Sequence, residues 1–347
     1  MSAIVALADA LAGQDAVFIS ETPNLEGAEV VADQIALVVE SSGSTGIPKR
    51  IELSRAALIA SATASDEVLG GPGQWLLALP INFIAGANVL IRSLVSETQP
   101  VLMNTRMPFT TEGFSRAASM QSAERRYTSL VPTQLKRLLD ASELDEFLLR
   151  QLQRFDAILV GGQAVDASLV ERCALKDIKL VISYGMSETC GGCVYDGRPL
   201  PGVEVRISDA GEIEIAGPTL AEGVATAGWY RTHDLGEMVD GKLVVLGRSN
   251  RVLNSGGLKV SLDRIEEAVR EIGGVAEAAA LALPDKEWGE RAAVVYVGSP
   301  EIADYIATEA LVELGPAAKP VRVIRVAAIP KLVSGKTDYL SLATHFE

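Results

Sequence analysis

The segment from Ser41 to Lys49 combines the groups that bind a phosphate. Its members in order are Ser41, Ser42, Gly43, Ser44, Thr45, Gly46, Ile47, Pro48 and Lys49. Glycines let the backbone approach a ligand, hydroxyls and amides can bond to phosphate oxygens, and the lysine adds a positive charge. The segment predicts a phosphate-binding loop, with a plain Ser/Gly surface turn as the alternative. It is not a Walker A loop, because the Gly-Lys-Ser/Thr end of that pattern is missing.

Cysteine and histidine offer little material for a metal or redox centre. Cys190 and Cys193 have redox or half-zinc spacing, but Cys173 is the one other cysteine and the two histidines lack ligand spacing. We therefore expect the pair to line or support a pocket. An odd number of cysteines makes no even disulfide framework and favours a reducing, cytoplasmic location.

Length and charge narrow the class of protein. The chain has 347 residues, which is room for one large and one small domain. Its formal charge is −14, without a basic block, which argues against nucleic acid or an anionic membrane as partner. The N-terminus lacks a basic leader, and no apolar run approaches the roughly 20 residues that span a bilayer. We expect a soluble protein that acts on small molecules, and the assembly state stays open, a homodimer included.

Strands alternate with helices over the first two thirds of the chain, as in a mostly parallel sheet covered by helices. Ser54 is predicted to cap a helix over 55–68, and Thr133 to cap one over 134–140. The predicted strands lie at 35–40, 50–53, 127–131, 156–160 and 179–183.

After Gly202 the alternation of strands and helices gives way to closely spaced strands. They predict a small antiparallel β unit over 203–208, 212–216 and 242–246. A helix with apolar positions from Leu262 to Ile272 follows, then strands near 294–297 and 321–326. The predicted fold class is α/β. We expect a large N-terminal α/β domain with the β unit over residues 1–248, and a small mobile C-terminal α+β domain over 249–347.

Five segments in order resemble the adenylate-forming superfamily, the acyl-CoA synthetases and related ligases. They are the loop Ser41 to Lys49, Tyr184-Gly185-Met186-Ser187-Glu188-Thr189, Trp229-Tyr230-Arg231-Thr232-His233-Asp234, Gly247-Arg248-Ser249-Asn250 with Ser255-Gly256-Gly257-Leu258-Lys259-Val260, and Pro330-Lys331-Leu332-Val333-Ser334-Gly335-Lys336. Each alone is weak, but together they span nearly the whole chain.

The resemblance implies a site for ATP and Mg²⁺. It implies that the loop binds phosphates, and that the nucleotide also contacts Gly162, Gln163, Tyr184, Gly185, Met186, Ser187, Asp234 and Arg248. Glu188 supplies a hard oxygen for Mg²⁺, and Asp234 can accept both ribose hydroxyls. The residue types alone also permit a helix-start carboxylate at Glu188, a turn residue at Asp234 and an exposed salt bridge at Arg248.

The second half of the chain carries the implied catalytic lysine and thiol site. The resemblance makes Lys336 the catalytic residue, Asn250 the hinge between domains, and Gly257 and Lys259 part of the CoA site. A lysine can reach an α-phosphate and a carboxylate as a flexible point charge. Without the motif, the alternative for Lys336 is an ordinary solvent-exposed lysine. Asn250 stands where many members have Asp or Lys, and asparagine tolerates the unusual backbone angles of a hinge.

Two stretches resemble the o-succinylbenzoate:CoA ligases of menaquinone biosynthesis, particularly the short actinobacterial type. They are Met186 to Gly197 and Leu79 to Gly86, the latter followed by Val89-Leu90-Ile91-Arg92-Ser93. The implied substrate is an aryl dicarboxylate, contacted by Gly161, Gly192, Phe83 and Arg92. Arg92 would pair with the carboxylate that is not activated, the alternative being a helix-surface arginine. Phe83 departs from the histidine that such ligases often carry.

The resemblance thus predicts a ligase that adenylates 2-succinylbenzoate with ATP and passes the acyl group to CoA. One alternative keeps every nucleotide motif but uses another aryl or acyl acid, or a carrier-protein thiol. A second alternative is a nucleotide-binding relative without catalysis.

Overall fold

The computed structural model describes residues 3–19, 31–41, 49–332 and 337–346 of the chain, with Ser41 described in its backbone alone. Its helices are α1 (Ala3–Leu11), α2 (Arg55–Leu69), α3 (Ile84–Val95), α4 (Thr111–Ser119), α5 (Pro132–Ala141), α6 (Glu146–Gln153), α7 (Ala167–Leu175), α8 (Leu262–Arg270), α9 (Ala303–Thr308) and α10 (Tyr339–Ala343).

The strands up to the middle of the chain are β1 (Val17–Ile19), β2 (Ile35–Ser41), β3 (Lys49–Ser54), β4 (Gln74–Leu77), β5 (Val101–Leu102), β6 (Arg126–Leu130), β7 (Ala157–Gly161), β8 (Leu180–Met186), β9 (Gly191–Tyr195) and β10 (Arg198–Pro199). The later strands are β11 (Glu204–Ile207), β12 (Glu212–Ala216), β13 (Tyr230–Val239), β14 (Lys242–Arg248), β15 (Val252–Ser255), β16 (Leu258–Ser261), β17 (Val275–Asp285), β18 (Gly289–Gly298) and β19 (Arg322–Arg325). The predicted α/β class is confirmed.

The chain divides into two compact units. The first contains Met1–Arg206, Glu214–Tyr230 and Gly241–Leu243, and the second contains Ile207–Ile213, Arg231–Asp240 and Val244–Glu347. Strands β11 to β14 form a four-stranded sheet in that order, and the division passes through them. Because the units interleave in this stretch, the single boundary expected after residue 248 stays a prediction.

A seven-stranded sheet organises the first unit, in the order β10-β9-β8-β7-β6-β4-β5. Strands β4 to β8 pair in parallel, whereas β9 returns antiparallel to β8. One face packs on α4 to α7 through side chains such as Phe114 and Leu138. On the other face, Trp75 lies beside Arg92 of α3. A parallel sheet buried on both faces leaves its carboxyl edge for ligands.

Local sequence signals account for most helix starts. Ser54 caps α2 by accepting a hydrogen bond from the Ala57 amide at 3.3 Å, as predicted. The predicted Thr133 cap is wrong, because α5 begins at Pro132, whose fixed φ suits the first helical position. The side chain of Gln134 instead accepts from the Val131 amide at 3.1 Å.

A second sheet organises the other unit, in the order β16-β15-β18-β17, with β19 parallel to β18. Helix α8 buries Leu262, Ile265 and Val269 against it. The predicted helix and late strands are confirmed, whereas β13, β15, β16 and β17 have no counterpart among the predicted strands.

A buried ion cluster fastens this second unit. Arg251 pairs with Asp263 and Glu266 of α8, and its guanidinium lies 3.9 Å from the centre of the Tyr339 ring. Glu266 also accepts hydrogen bonds from the Ala280 amide at 2.8 Å and the Tyr339 hydroxyl at 2.9 Å. Burial raises the pKa of the Glu266 carboxyl, while the Arg251 charge and these donors lower it. The cluster therefore joins the turn Ser249–Arg251, α8, β17 and α10.

We expect Arg251→Met to destabilise the second unit strongly, because Glu266 would keep a buried charge without its cation. Removing one partner of a buried pair costs about 3–5 kcal/mol. Hydrogen exchange of the β17 and β18 amides measures this locally. Arg264→Met, on the exposed side of α8, is the matched control and should exchange like the parent. Equal protection in the two variants would contradict the assignment.

Candidate active site

A tight turn carries Glu188 at the carboxyl end of β8. Residues Ser187–Thr189 form a single 3₁₀ turn between β8 and β9. The Thr189 hydroxyl accepts from the Met186 amide at 3.0 Å and lies 2.7 Å from the Gly191 carbonyl, to which it can donate. The Glu188 carbonyl accepts from the Ala221 amide at 2.9 Å. The backbone on both sides of the carboxylate is thus fixed.

The Glu188 side chain is half-buried, and no hydrogen bond or ion pair joins its carboxylate to another side chain of the described ranges. One carboxylate together with phosphate oxygens and water is a donor set that suits Mg²⁺. Within those same ranges, no group of three or more His, Cys, Asp or Glu side chains could hold a metal alone. The residues present therefore fit a cation that is shared with a phosphate ligand.

Glycines let three strands approach each other beside this turn. A Cβ on Gly161 would lie 2.3 Å from the Ser183 carbonyl oxygen, and one on Gly192 would lie 2.1 Å from the Ser183 hydroxyl. A Cβ on Gly185 would lie 2.0 Å from the Gly191 carbonyl oxygen. At Gly161 and Gly185 the neighbouring atom is backbone, so glycine is required there for β7, β8 and β9 to pair, whereas the Ser183 hydroxyl beside Gly192 can rotate.

Gly162 differs from these glycines, because a Cβ there would meet nothing within 4 Å. Its φ of 82° explains why glycine is favoured, and the space above it is open. Gln163, which follows Gly162, and Tyr184, on β8, lie at the same sheet edge and are half-buried. These predicted nucleotide residues do come together with Gly161 and Gly185 on adjoining strands.

Arg92 lies inside the protein, and only 3% of its surface is exposed. It donates to the Tyr195 hydroxyl at 3.0 Å, and its guanidinium lies 4.8 Å from the Trp75 ring centre. The alternative of a helix-surface arginine is therefore wrong. Its role toward a substrate carboxylate stays a prediction, since the guanidinium is enclosed by Tyr195 and Trp75. Phe83 is half-buried and stands at the start of α3 without capping it.

Asp66 belongs to the same polar interior. One of its oxygens accepts from the Ser96 hydroxyl, and the other has no hydrogen-bond partner in the described chain. Burial raises the pKa of the Asp66 carboxyl, while the Ser96 hydrogen bond and the Arg92 charge lower it. The Nε of Arg92 also lacks a partner in the residues described. This interior therefore carries charge without full pairing.

The buried cysteines are inert thiols at neutral pH. Cys190 and Cys193 are fully enclosed, and burial raises the pKa of Cys193 to about 12 and that of Cys190 still further. Burial likewise raises the pKa of Cys173 to about 11. All three are free thiols in the structure. The pair supports the turn through its backbone rather than through sulfur chemistry.

In the second unit, two predicted nucleotide residues meet. The Arg248 guanidinium donates to the Asp234 carboxylate at 3.0 Å, and the Arg248 amide donates to Asp263 at 2.8 Å. Thr232 orients the strand by accepting from the Asp234 amide at 3.1 Å. Asp234 is nearly buried, whereas the Arg248 side chain is half-exposed. The pair presents both an acceptor and a cation, as a ribose phosphate requires.

The predicted hinge and CoA residues follow along the chain. Asn250 is exposed in the 3₁₀ turn Ser249–Arg251. Gly256 and Gly257 form the tight turn of the β15–β16 hairpin, with φ of 59° and 85°, which glycine adopts without strain. Lys259 is exposed on β16 and pairs in register with Asn254.

Part of the predicted site lies outside the described residues. Those positions are Ser42, Gly43, Ser44, Thr45, Gly46 and Lys336. The flanking strands are described: Lys49 begins β3 and pairs in register with Ser41 of β2. The other flank is also fixed, because Lys331 and Thr337 form an isolated β-bridge.

Family comparisons agree with the motifs. A family model described as AMP-binding enzyme matches residues 3–224, and one described as AMP-binding enzyme C-terminal domain matches residues 264–336. The chain belongs to the AMP-binding enzyme family. The resemblance to adenylate-forming enzymes is therefore confirmed.

Several known AMP-binding enzymes are similar along most of the chain. A probable 2-succinylbenzoate–CoA ligase of Mycobacterium tuberculosis is 38% identical over 334 residues, covering 92% of this chain and 86% of the relative. The o-succinylbenzoate CoA synthetase of Bacillus subtilis, solved with the acyl-adenylate intermediate, gives a TM-score of 0.76 at 26% identity. The same synthetase with ATP and magnesium ion gives 0.75 at 26% identity. Both structures cover 87% of this chain and 68% of the neighbour.

Sequence reasoning missed the polar residues that support this AMP-binding enzyme's site. Ser61, Asn88, Thr189 and Tyr195 make buried hydrogen bonds around the turn and Arg92. A signal existed for Asn88, because it is the polar residue inside the apolar run Ala87 to Ile91. A polar side chain amid a buried helix face needs a partner.

We expect Gly185→Ala to weaken ATP binding, because its Cβ would force β8 and β9 apart beside Glu188. Overpacking of this kind costs about 1–3 kcal/mol even where side chains can yield, and here the neighbour is backbone. Calorimetric titration with ATP and thermal unfolding give the two readouts. Gly273→Ala is the control, since a Cβ there meets nothing within 4 Å. Unchanged ATP affinity in Gly185→Ala would contradict the placement.

Proposed function

We propose that this chain is an AMP-forming ligase that joins 2-succinylbenzoate to CoA. The observation that carries the proposal is the 38% identity to a probable 2-succinylbenzoate–CoA ligase, extending over both family matches. A structural neighbour named as a succinylbenzoate synthetase and solved with its acyl-adenylate supports the same reaction order.

The reaction has two steps that share one acyl group. A carboxylate oxygen of the acid attacks the α-phosphorus of ATP, and pyrophosphate leaves. The thiol of CoA then loses its proton and attacks the acyl carbonyl carbon, and AMP leaves with the electrons of the broken C–O bond. Both steps spread negative charge over phosphate oxygens, so the chain must position the groups and neutralise that charge.

Glu188 is the residue that we assign to the metal. Its carboxylate faces no described side-chain partner, and its backbone is held by Thr189 and Ala221. When bound there, Mg²⁺ would neutralise phosphate charge. The chain's own contribution is to hold one oxygen ligand in a fixed place at the sheet edge.

The nucleotide roles follow the geometry of each unit. We assign the open space above Gly162 to the base, with Gln163 and Tyr184 beside it. Asp234 and Arg248, already in contact with each other, are assigned to ribose and phosphate oxygens. The loop after Ser41 and the lysine Lys49 are assigned to the phosphates of ATP.

The acid is assigned to the glycine-lined edge of the sheet. Gly161 and Gly192 lie on both sides of Ser183 and add no side chain there, and we assign the half-buried Phe83 to an apolar contact with the acid. We propose that the positive charge of Arg92, whose Nε–H has no partner among the described residues, stabilises the carboxylate that is not activated. Gly257 and Lys259 are assigned to CoA, and Asn250 to the hinge. A cytoplasmic location also remains a proposal.

We expect 2-succinylbenzoate to be turned over at least about 30-fold better than 4-oxo-4-phenylbutanoate, which lacks the ring carboxylate. Losing one charge-assisted hydrogen bond in an enclosed site costs about 2 kcal/mol or more. Pyrophosphate release with and without CoA measures both the acid and the acceptor. Benzoate and a medium-chain fatty acid complete the panel. Equal rates across the panel would reject the substrate, and pyrophosphate release without thioester would reject CoA.

We expect Lys336→Ala to slow adenylate formation by about 10² to 10³, the effect of removing one preorganised donor at a developing charge. Transfer from the preformed acyl-adenylate to CoA should stay near the parent rate. Single-turnover measurement of each step separates the two. Lys331→Ala is the matched control, since Lys331 lies in the same segment and pairs with Glu277 at 2.7 Å. A Lys336→Ala enzyme with normal adenylation would remove the catalytic assignment.

A further inference from the structure

Two helices of the first unit converge on one backbone carbonyl next to Glu188. The side-chain amide of Asn88, on α3, donates to the Cys190 carbonyl at 2.7 Å. The hydroxyl of Ser61, on α2, donates to the same oxygen at 3.2 Å. Both side chains are buried, with 3% and 2% of their surface exposed. A carbonyl oxygen has two acceptor positions, so the two donors together satisfy it.

Cys190 needs such support because its backbone is unusual. It has φ of 53° and ψ of 37°, the left-handed conformation, at the end of the turn that carries Glu188. A residue with a Cβ rarely adopts that conformation, and it persists only when its surroundings determine it. The hydrogen bonds from Asn88 and Ser61 supply that constraint at the carbonyl.

The fit around Asn88 is also tight. A Cβ on Gly191 would lie 2.3 Å from the Asn88 amide nitrogen, so glycine at this position makes room for the amide. The other side of the turn is fixed by the Thr189 hydroxyl and by Ala221. Asn88 thus fixes the end of the three-residue turn on which Glu188 stands.

We propose that Asn88 is a positioning residue that, together with Ser61, sets the place of the Glu188 carboxylate and thereby the contribution of Mg²⁺ to ATP binding. This inference rests on the proposed role of Glu188. Residues that orient a metal ligand without touching the metal typically change metal-dependent affinity by about 10- to 100-fold when they are removed.

The test is a binding measurement on the full chain. ATP is titrated by calorimetry in saturating Mg²⁺ and again in EDTA, and the ratio of the two dissociation constants gives the gain due to the metal. We expect Asn88→Ala to reduce that gain by about 10-fold while the affinity in EDTA stays unchanged. Ser61→Ala, which removes the longer bond, should reduce the gain less and serves as the second variant if Asn88→Ala folds poorly.

Two controls separate positioning from stability. Ser93→Ala removes a buried hydroxyl from the same helix, where it donates only to the Val89 carbonyl, and should keep the full gain. Combining Asn88→Ala with Glu188→Gln should cause no further loss beyond Glu188→Gln alone, because both act on one carboxylate.

The outcomes are distinct. A lower melting temperature in Asn88→Ala with an unchanged metal gain would overturn the inference and leave Asn88 a structural residue. If Glu188→Gln itself keeps the full gain, the proposed metal role of Glu188 fails and the inference fails with it. A reduced gain in Asn88→Ala that equals that of Ser93→Ala would also overturn it.

Discussion

The close pairing of β8 with the returning strand β9 is the constraint on which the candidate site depends. In a parallel sheet, ligands bind at the carboxyl ends of the strands. Because β9 runs antiparallel to β8, the chain must reverse within a few residues at that edge. Glycine at Gly185 and Gly192 allows that approach, and the reversal leaves Glu188 at the edge itself. The backbone that carries the Glu188 carboxylate is therefore held at this edge by the pairing of β8 with β9.

Helix α3 packs beside this turn and carries two buried polar side chains, Asn88 and Arg92, in an otherwise apolar face. Asn88 donates to the Cys190 carbonyl. The Nε–H of Arg92 has no partner among the described residues, and Arg92 lies near Asp66, whose carboxyl has a raised pKa. Satisfied buried groups specify one arrangement, and partly satisfied ones lower stability. The same helix therefore holds both a rigid support for the turn and a charge that the fold alone does not neutralise.

The sequence predicted those parts of the protein that depend on local chemistry. Ser54 as a helix cap and the β-branched strand from Ile35 were recognisable because their signals act within a few residues. Strand β17 was missed because it is rich in alanine, which has little preference for strands, and it forms through long pairing with β18. The burial of Arg92 and the partners of Asn88 depend on residues some hundred positions away. No local pattern encodes such contacts.

In the second unit, the buried carboxylate of Glu266 contacts both the segment after the predicted hinge and the segment after the predicted catalytic lysine. Glu266 pairs with Arg251, the residue after the predicted hinge at Asn250. It also accepts a hydrogen bond from Tyr339, which lies two residues after Thr337 of the bridge to Lys331. A buried ion cluster breaks only at high cost, so these segments behave as one body. The stem of the lysine segment and the hairpin with Lys259 must then move together if they move at all.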